Sequence, residues 1–166
     1  MKTLLLFRHA KSDWGAEFGH DHERPLNKRG KRAAKRMGQY LATVGCLPDR
    51  VVVSSAVRAV KTVELAAAAG NWNCEVEITD GLYEADPGRV VELIQQQPDD
   101  RDTVLFTGHE PTFSATASLL IGGGELRMPT AAIACIEFEA ERWSDVKPPA
   151  GRLAWLVTPK LLEEPD

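Results

Sequence analysis

The sequence predicts an α/β protein: a three-layer α/β/α sandwich on an open, mostly parallel central sheet. Three observations lead there. Short, continuously apolar runs at 3–7, 51–53 and 103–106 suit strands buried on both faces, as parallel strands are. Between them lie stretches with apolar side chains at helical spacing, which gives a βαβ rhythm. A chain of 166 residues, 43% hydrophobic and 27% charged, has the size and make-up of one domain with a real core. No repeat, low-complexity tract or linker divides it. Residues 1–160 are expected to form that single domain, with 161–166 as a loose acidic C-terminal tail.

Taken in order, the first strand covers 3–7 and stops at the charge of Arg8. Residues 10–27 are polar and irregular and end in Arg24-Pro25-Leu26-Asn27. Asn27 is a suitable helix cap, and Ala33, Ala34, Met37, Tyr40, Leu41 and Val44 then recur at helical spacing up to Gly45. The opposite face of that helix carries Lys28, Arg29, Lys31, Arg32, Lys35 and Arg36. Pro48 resets the chain before strand 51–53, which ends in Ser54-Ser55. An Ala-rich helix over 57–69 stops at Gly70, and Val76 to Ile78 suit a third strand. Pro87-Gly88 opens a helix that runs through Val90, Val91 and Ile94 and closes at Pro98. Strand 103–106 leads into Thr107-Gly108-His109-Glu110-Pro111, and Pro111 suits the first turn of a helix reaching Ile121. Gly122 to Gly124 form a loop, and 131–138 and 152–158 read as neighbouring strands.

Composition excludes several classes. Twenty Lys+Arg against 24 Asp+Glu give a formal charge of −4, so no global basic field favours nucleic acid or an acidic membrane. The apolar runs are too short to span a bilayer, and no signal-peptide core follows Lys2. Cys46, Cys74 and Cys135 are odd in number and widely spaced, which points to reduced thiols and a cytoplasmic location. His20-Asp21-His22-Glu23 lacks the spacing of a metal site and reads as a polar loop in which Asp21 and Arg24 hold their surroundings; no metal is expected. The basic helix face lacks interleaved aromatics and reads as a solvated face, suited at most to steering an anionic partner.

The unusual residues fall where open α/β sheets bind ligands, beyond the carboxyl ends of strands. Arg8 and His9 follow the first strand, Arg58 begins the helix after the second, and Gly108-His109 follow strand 103–106. Two imidazoles and two guanidinium groups at three strand ends are not needed for packing. Like charges gathered there cost stability unless an anion offsets them, so the constellation describes an oxyanion site, with phosphate as the obvious candidate.

These blocks resemble the histidine phosphatase superfamily, and more narrowly its SixA-type phosphohistidine phosphatase branch. The likeness rests on Leu6-Phe7-Arg8-His9-Ala10-Lys11-Ser12, Arg24-Pro25-Leu26 with Gly30, Ser54-Ser55-Ala56-Val57-Arg58 through Thr62, and Thr107-Gly108-His109-Glu110-Pro111, in order and in register. It implies a phosphoglycerate mutase-like fold, with His9 as the nucleophile that accepts the phosphoryl group. Arg8, Arg58 and His109 would hold that group, Ser12 would offer a hydroxyl, and no cofactor would be required. Glu84 is the candidate proton donor, with Asp86 second. The sequence departs from the superfamily pattern at Ala10, where Gly is common, and at Gly15, where mutase-type relatives carry Asn. Little chain lies between His9 and Asn27 or between Arg58 and Glu84, so no lid insertion is expected, and a phosphorylated protein is favoured as substrate. The expected activity is metal-independent hydrolysis of protein phosphohistidine, with inorganic phosphate as product. The alternatives are a small-molecule phosphomonoesterase that requires Glu84, and a phosphoprotein-binding module without turnover.

Overall fold

The computed structural model describes residues 1–164. The strands are β1 (Lys2–Arg8), β2 (Arg50–Ser54), β3 (Glu75–Thr79), β4 (Thr103–Gly108), β5 (Ile133–Phe138) and β6 (Arg152–Val157). The helices are α1 (Lys28–Thr43), α2 (Val57–Gly70), α3 (Pro87–Gln95) and α4 (Thr112–Ile121). They form one sheet in the order β3-β2-β4-β1-β5-β6. β1 pairs in parallel with β4, β4 with β2, and β2 with β3, whereas β5 and β6 run antiparallel at the other edge. The carboxyl ends of β1, β2 and β4 therefore lie along one edge.

Alternation along the central strands divides the core between two layers. Leu4, Leu6, Val104 and Phe106 pack with side chains of α3 and α4, while Leu5, Phe7, Leu105, Val51 and Val53 pack with α1 and α2. Each such fully buried side chain contributes roughly 1.5–3 kcal/mol of transfer free energy, which is why the first apolar run becomes the centre of the sheet. Asn27 caps α1 by accepting from the Gly30 amide at 2.7 Å. α1 and α2 meet backbone to backbone: a Cβ on Gly38 would stand 2.0 Å from the Ala66 carbonyl oxygen. This contact fixes α2, and with it Arg58, relative to the rest of the fold.

Two expectations are adjusted. β3 is an edge strand whose Val76 and Ile78 are exposed; Arg50 holds it through ion pairs of 2.5 Å to Glu75 and to Glu77. The chain at 161–162 is not a loose tail. Pro159–Leu162 form a 3-10 turn, Leu162 packs on the α1 side of the core, and Glu163 lies 3.8 Å from Arg36. Apolar contact outweighs the acidity of this stretch; residues 165–166 of the expected tail lie outside the described residues. No helical lid is inserted between β1 and α1 or between β3 and α3 among the described residues.

Candidate active site

His9 is the first residue beyond β1, and its backbone is held on both sides. Its amide donates to the Gly108 carbonyl at 3.0 Å, and its carbonyl accepts from Ala131 at 3.0 Å. The next amide, of Ala10, donates to Thr62 Oγ1 at 3.0 Å, and Thr62 in turn donates to the Arg58 carbonyl. The imidazole is 6% exposed. Its Nδ1 lies 2.7 Å from the Ala10 carbonyl oxygen, which can only accept, so Nδ1 carries the proton and Nε2 presents a lone pair. Burial pushes the His9 pKa down to about 3, and nearby His109, Arg58 and Arg8 push the same way. At neutral pH this is an uncharged imidazole of fixed orientation with a free lone pair on Nε2.

His109 faces it, with ring centroids 5.3 Å apart. Burial, followed by Arg58, lowers its pKa to about 4. Arg58 Nη2 stands 3.5 Å from its Nδ1 and can only donate, so Nε2 carries the proton and donates to Ser54 Oγ at 2.8 Å. Arg8 is anchored by donation from Nη1 to the Met128 carbonyl at 2.9 Å. Buried Nε of Arg8 and of Arg58 have no hydrogen-bond partner among the described residues, so each guanidinium keeps a donor in reserve.

Arg8, His9, Ser12, Arg58 and His109 line one cleft of about 780 Å³. Ser12 is buried and accepts from Arg24 Nε at 2.8 Å; the Arg24 guanidinium stacks 3.6 Å over the Trp14 ring, itself 72% exposed at the rim. The structure does not bring Glu84 or Asp86 into that lining. Glu84 is exposed in a left-handed turn, φ 57°, beside Tyr83, and the Asp86 carboxylate caps α3 by accepting from Arg89.

Asp21 has more to do than hold a loop. Its carboxylate accepts from Arg58 Nη2 at 3.0 Å, from Tyr83 OH at 2.8 Å and from Arg24 Nη1, while its carbonyl accepts from Arg58 Nη1 at 2.8 Å. Partial burial disfavours its charge, but the bonds from Tyr83, Arg58 and Arg24 prevail and hold its pKa down at about 2. Neighbouring His22 donates from Nε2 to Ser55 Oγ, which donates to Asp80. The segment 125–130, which supplies a whole wall of the cleft, carried no signal in the sequence because it is a loop without periodicity.

The histidine phosphatase superfamily (branch 1) matches residues 4–118. An uncharacterised protein of Mycobacterium tuberculosis is 35% identical over 163 residues, covering 92% of this chain and 99% of its own length. A solved structure from Nakamurella multipartitia, assigned as the phosphohistidine phosphatase SixA, has a TM-score of 0.83 at 31% identity, over 95% of this chain and 96% of that one. The protein histidine phosphatase SixA complexed with tungstate gives a TM-score of 0.84 at 24% identity, over 97% and 99%, a likeness of fold.

Proposed function

This chain belongs to the histidine phosphatase superfamily, and we propose that it is a metal-independent phosphatase that hydrolyses phosphohistidine on a protein through a phospho-His9 intermediate. The observation that carries this is the state of His9: neutral, with Nδ1 fixed on the Ala10 carbonyl and Nε2 free, between two guanidinium groups.

His9 Nε2 attacks phosphorus as the bond from phosphorus to the substrate imidazole breaks. The substrate's other ring nitrogen takes a proton from solvent, since a free imidazole titrates near 6.5, and the leaving group departs as neutral imidazole. Glu84 then has little to supply, consistent with its place outside the cleft lining. Arg8 and Arg58 hold the transferring oxygens in place of a metal. The incoming anion raises the proton affinity of His109, whose protonated ring adds positive charge beside the phosphoryl group. Water then attacks phospho-His9, breaking the P–N bond and releasing inorganic phosphate.

The cleft's exposure favours a protein over a small metabolite. Among the described residues no α-helix is inserted over it, and exposed Trp14 at its rim offers the kind of aromatic contact protein partners use. No helix among the described residues is long and apolar enough to cross a membrane. Rapid-quench labelling with a ³²P-phosphohistidine protein tests the reading. An acid-labile, alkali-stable phosphoenzyme in the wild type, absent from folded His9→Ala, is the expected result; turnover by His9→Ala would overturn it.

A further inference from the structure

A second cavity of about 590 Å³ adjoins the catalytic cleft. The two share Lys11, Arg127, Pro129 and Thr130, so a ligand seated at His9 can continue into it along the surface. Arg29, Arg32 and Arg36 contribute from one stripe of α1, at three- and four-residue spacing, and Lys160 from the 3-10 turn that packs beside it. With Lys11 and Arg127 that makes, among the described residues, six cations against one carboxylate, Glu163, in a chain of net charge −4. Among the described residues, only Arg36 of the six has a carboxylate within 4.0 Å, that of Glu163 at 3.8 Å. A surface serving only solubility intersperses its signs; gathering unpaired cations around one concavity costs stability that an anionic partner recovers.

We propose that this groove docks a run of Asp or Glu side chains flanking the phosphorylated residue of a protein substrate, an inference that rests on the phosphatase reading above. Charge complementarity argues for the occupant, and continuity with the cleft places it next to the phosphoryl group. Glu163 already shows that a carboxylate fits among these cations. Among the described residues the groove lining contains no aromatic side chain on which nucleobases would stack, and its concavity suits an extended chain better than a membrane surface.

The test uses fluorescein-labelled peptides carrying a non-hydrolysable phosphonate analogue of phosphohistidine followed by four Glu or by four Gln. Anisotropy with the full chain is expected to show the Glu peptide binding about 10-fold tighter, a preference that salt erodes. The double variant Arg29→Gln/Arg32→Gln, on an exposed helix face, loses about 3- to 10-fold on the Glu peptide alone. Glu163→Gln moves the other way and tightens the Glu peptide. Equal affinity for the two peptides, no effect of the double variant in folded protein, or tighter binding of an oligouridylate than of the Glu peptide would each overturn the proposal. Hydrolysis of free phosphohistidine reports the chemistry separately. Selective binding of the Glu peptide without phosphate release would retain the docking site and remove the phosphatase reading; the converse would remove the docking site alone.

Discussion

Replacing Asp21 by Asn removes the one carboxylate that orients Arg58, Arg24 and Tyr83 while keeping size and shape. A charge-assisted hydrogen bond to a buried group nets roughly 1.5–3 kcal/mol. The Asp21 side chain is 49% exposed, so each of its two bonds to guanidinium is discounted to about 1 kcal/mol. Losing both removes about 2 kcal/mol of preorganisation, equivalent to about a 30-fold fall in kcat/KM. The assay is phosphate release under subsaturating substrate, with a thermal melt to confirm folding. A folded Asp21→Asn protein within twofold of wild type would show that Arg58 is held in place without Asp21 and would refute the reasoning. The pH dependence carries a second sign. Because the carboxyl is held at about 2, below its ordinary value of 3.8, its contribution to stability is complete above about pH 4 and disappears as pH falls towards 2. The stability gap between wild type and variant should close over that window.

Further outcomes follow from the same geometry. With pKa values of about 3 and about 4, His9 and His109 should keep neutral-form ring resonances between pH 8 and 5; titration of His9 near 6.5 by NMR would contradict its burial. Both shifts are downward, so the stability they contribute is complete above about 6.5 and is lost as pH falls through 4 to 3; the urea midpoint of His9→Gln should decline less steeply there. Gly30→Ala places a Cβ 2.1 Å from the Lys11 carbonyl oxygen, forcing apart α1 and the loop that follows His9. It should cost about 1–3 kcal/mol and slow turnover, and an unchanged melting temperature would count against that contact. Glu84→Gln should lower kcat/KM on a phosphohistidine substrate by less than about 3-fold, whereas a general acid normally supplies about 10²-fold or more.

The sheet was legible because its inner strands are short and apolar on both faces, and Leu4 to Phe7 admit little else. Helix limits were legible where a capping side chain or a proline marked them, as Asn27 and Pro87 do. Edge strand β3 gave a weaker signal, since its side chains face solvent and its place depends on Arg50 meeting Glu75 and Glu77 across the sheet. The turn at Pro159–Leu162 escaped because acidity near a chain end looks the same whether or not Leu162 finds a core to pack on. In the cleft, Arg8, His9, Arg58 and His109 announced themselves by falling at strand ends. Asp21 did not: its partners Arg58 and Tyr83 are distant in sequence, and only the folded chain joins them. The wall at 125–130 is positioned through backbone contacts such as the Met128 carbonyl, to which side-chain identity is silent.

Substrate choice tests the central claim most directly. Phosphate release should be measured from a phosphohistidine-bearing carrier protein and from a panel of small phosphomonoesters, with His9→Ala as control. A strong preference for the P–N substrate, abolished in His9→Ala and nearly unaffected in Glu84→Gln, is the predicted result. Preference for a small monoester, with activity that depends on Glu84, would contradict the account.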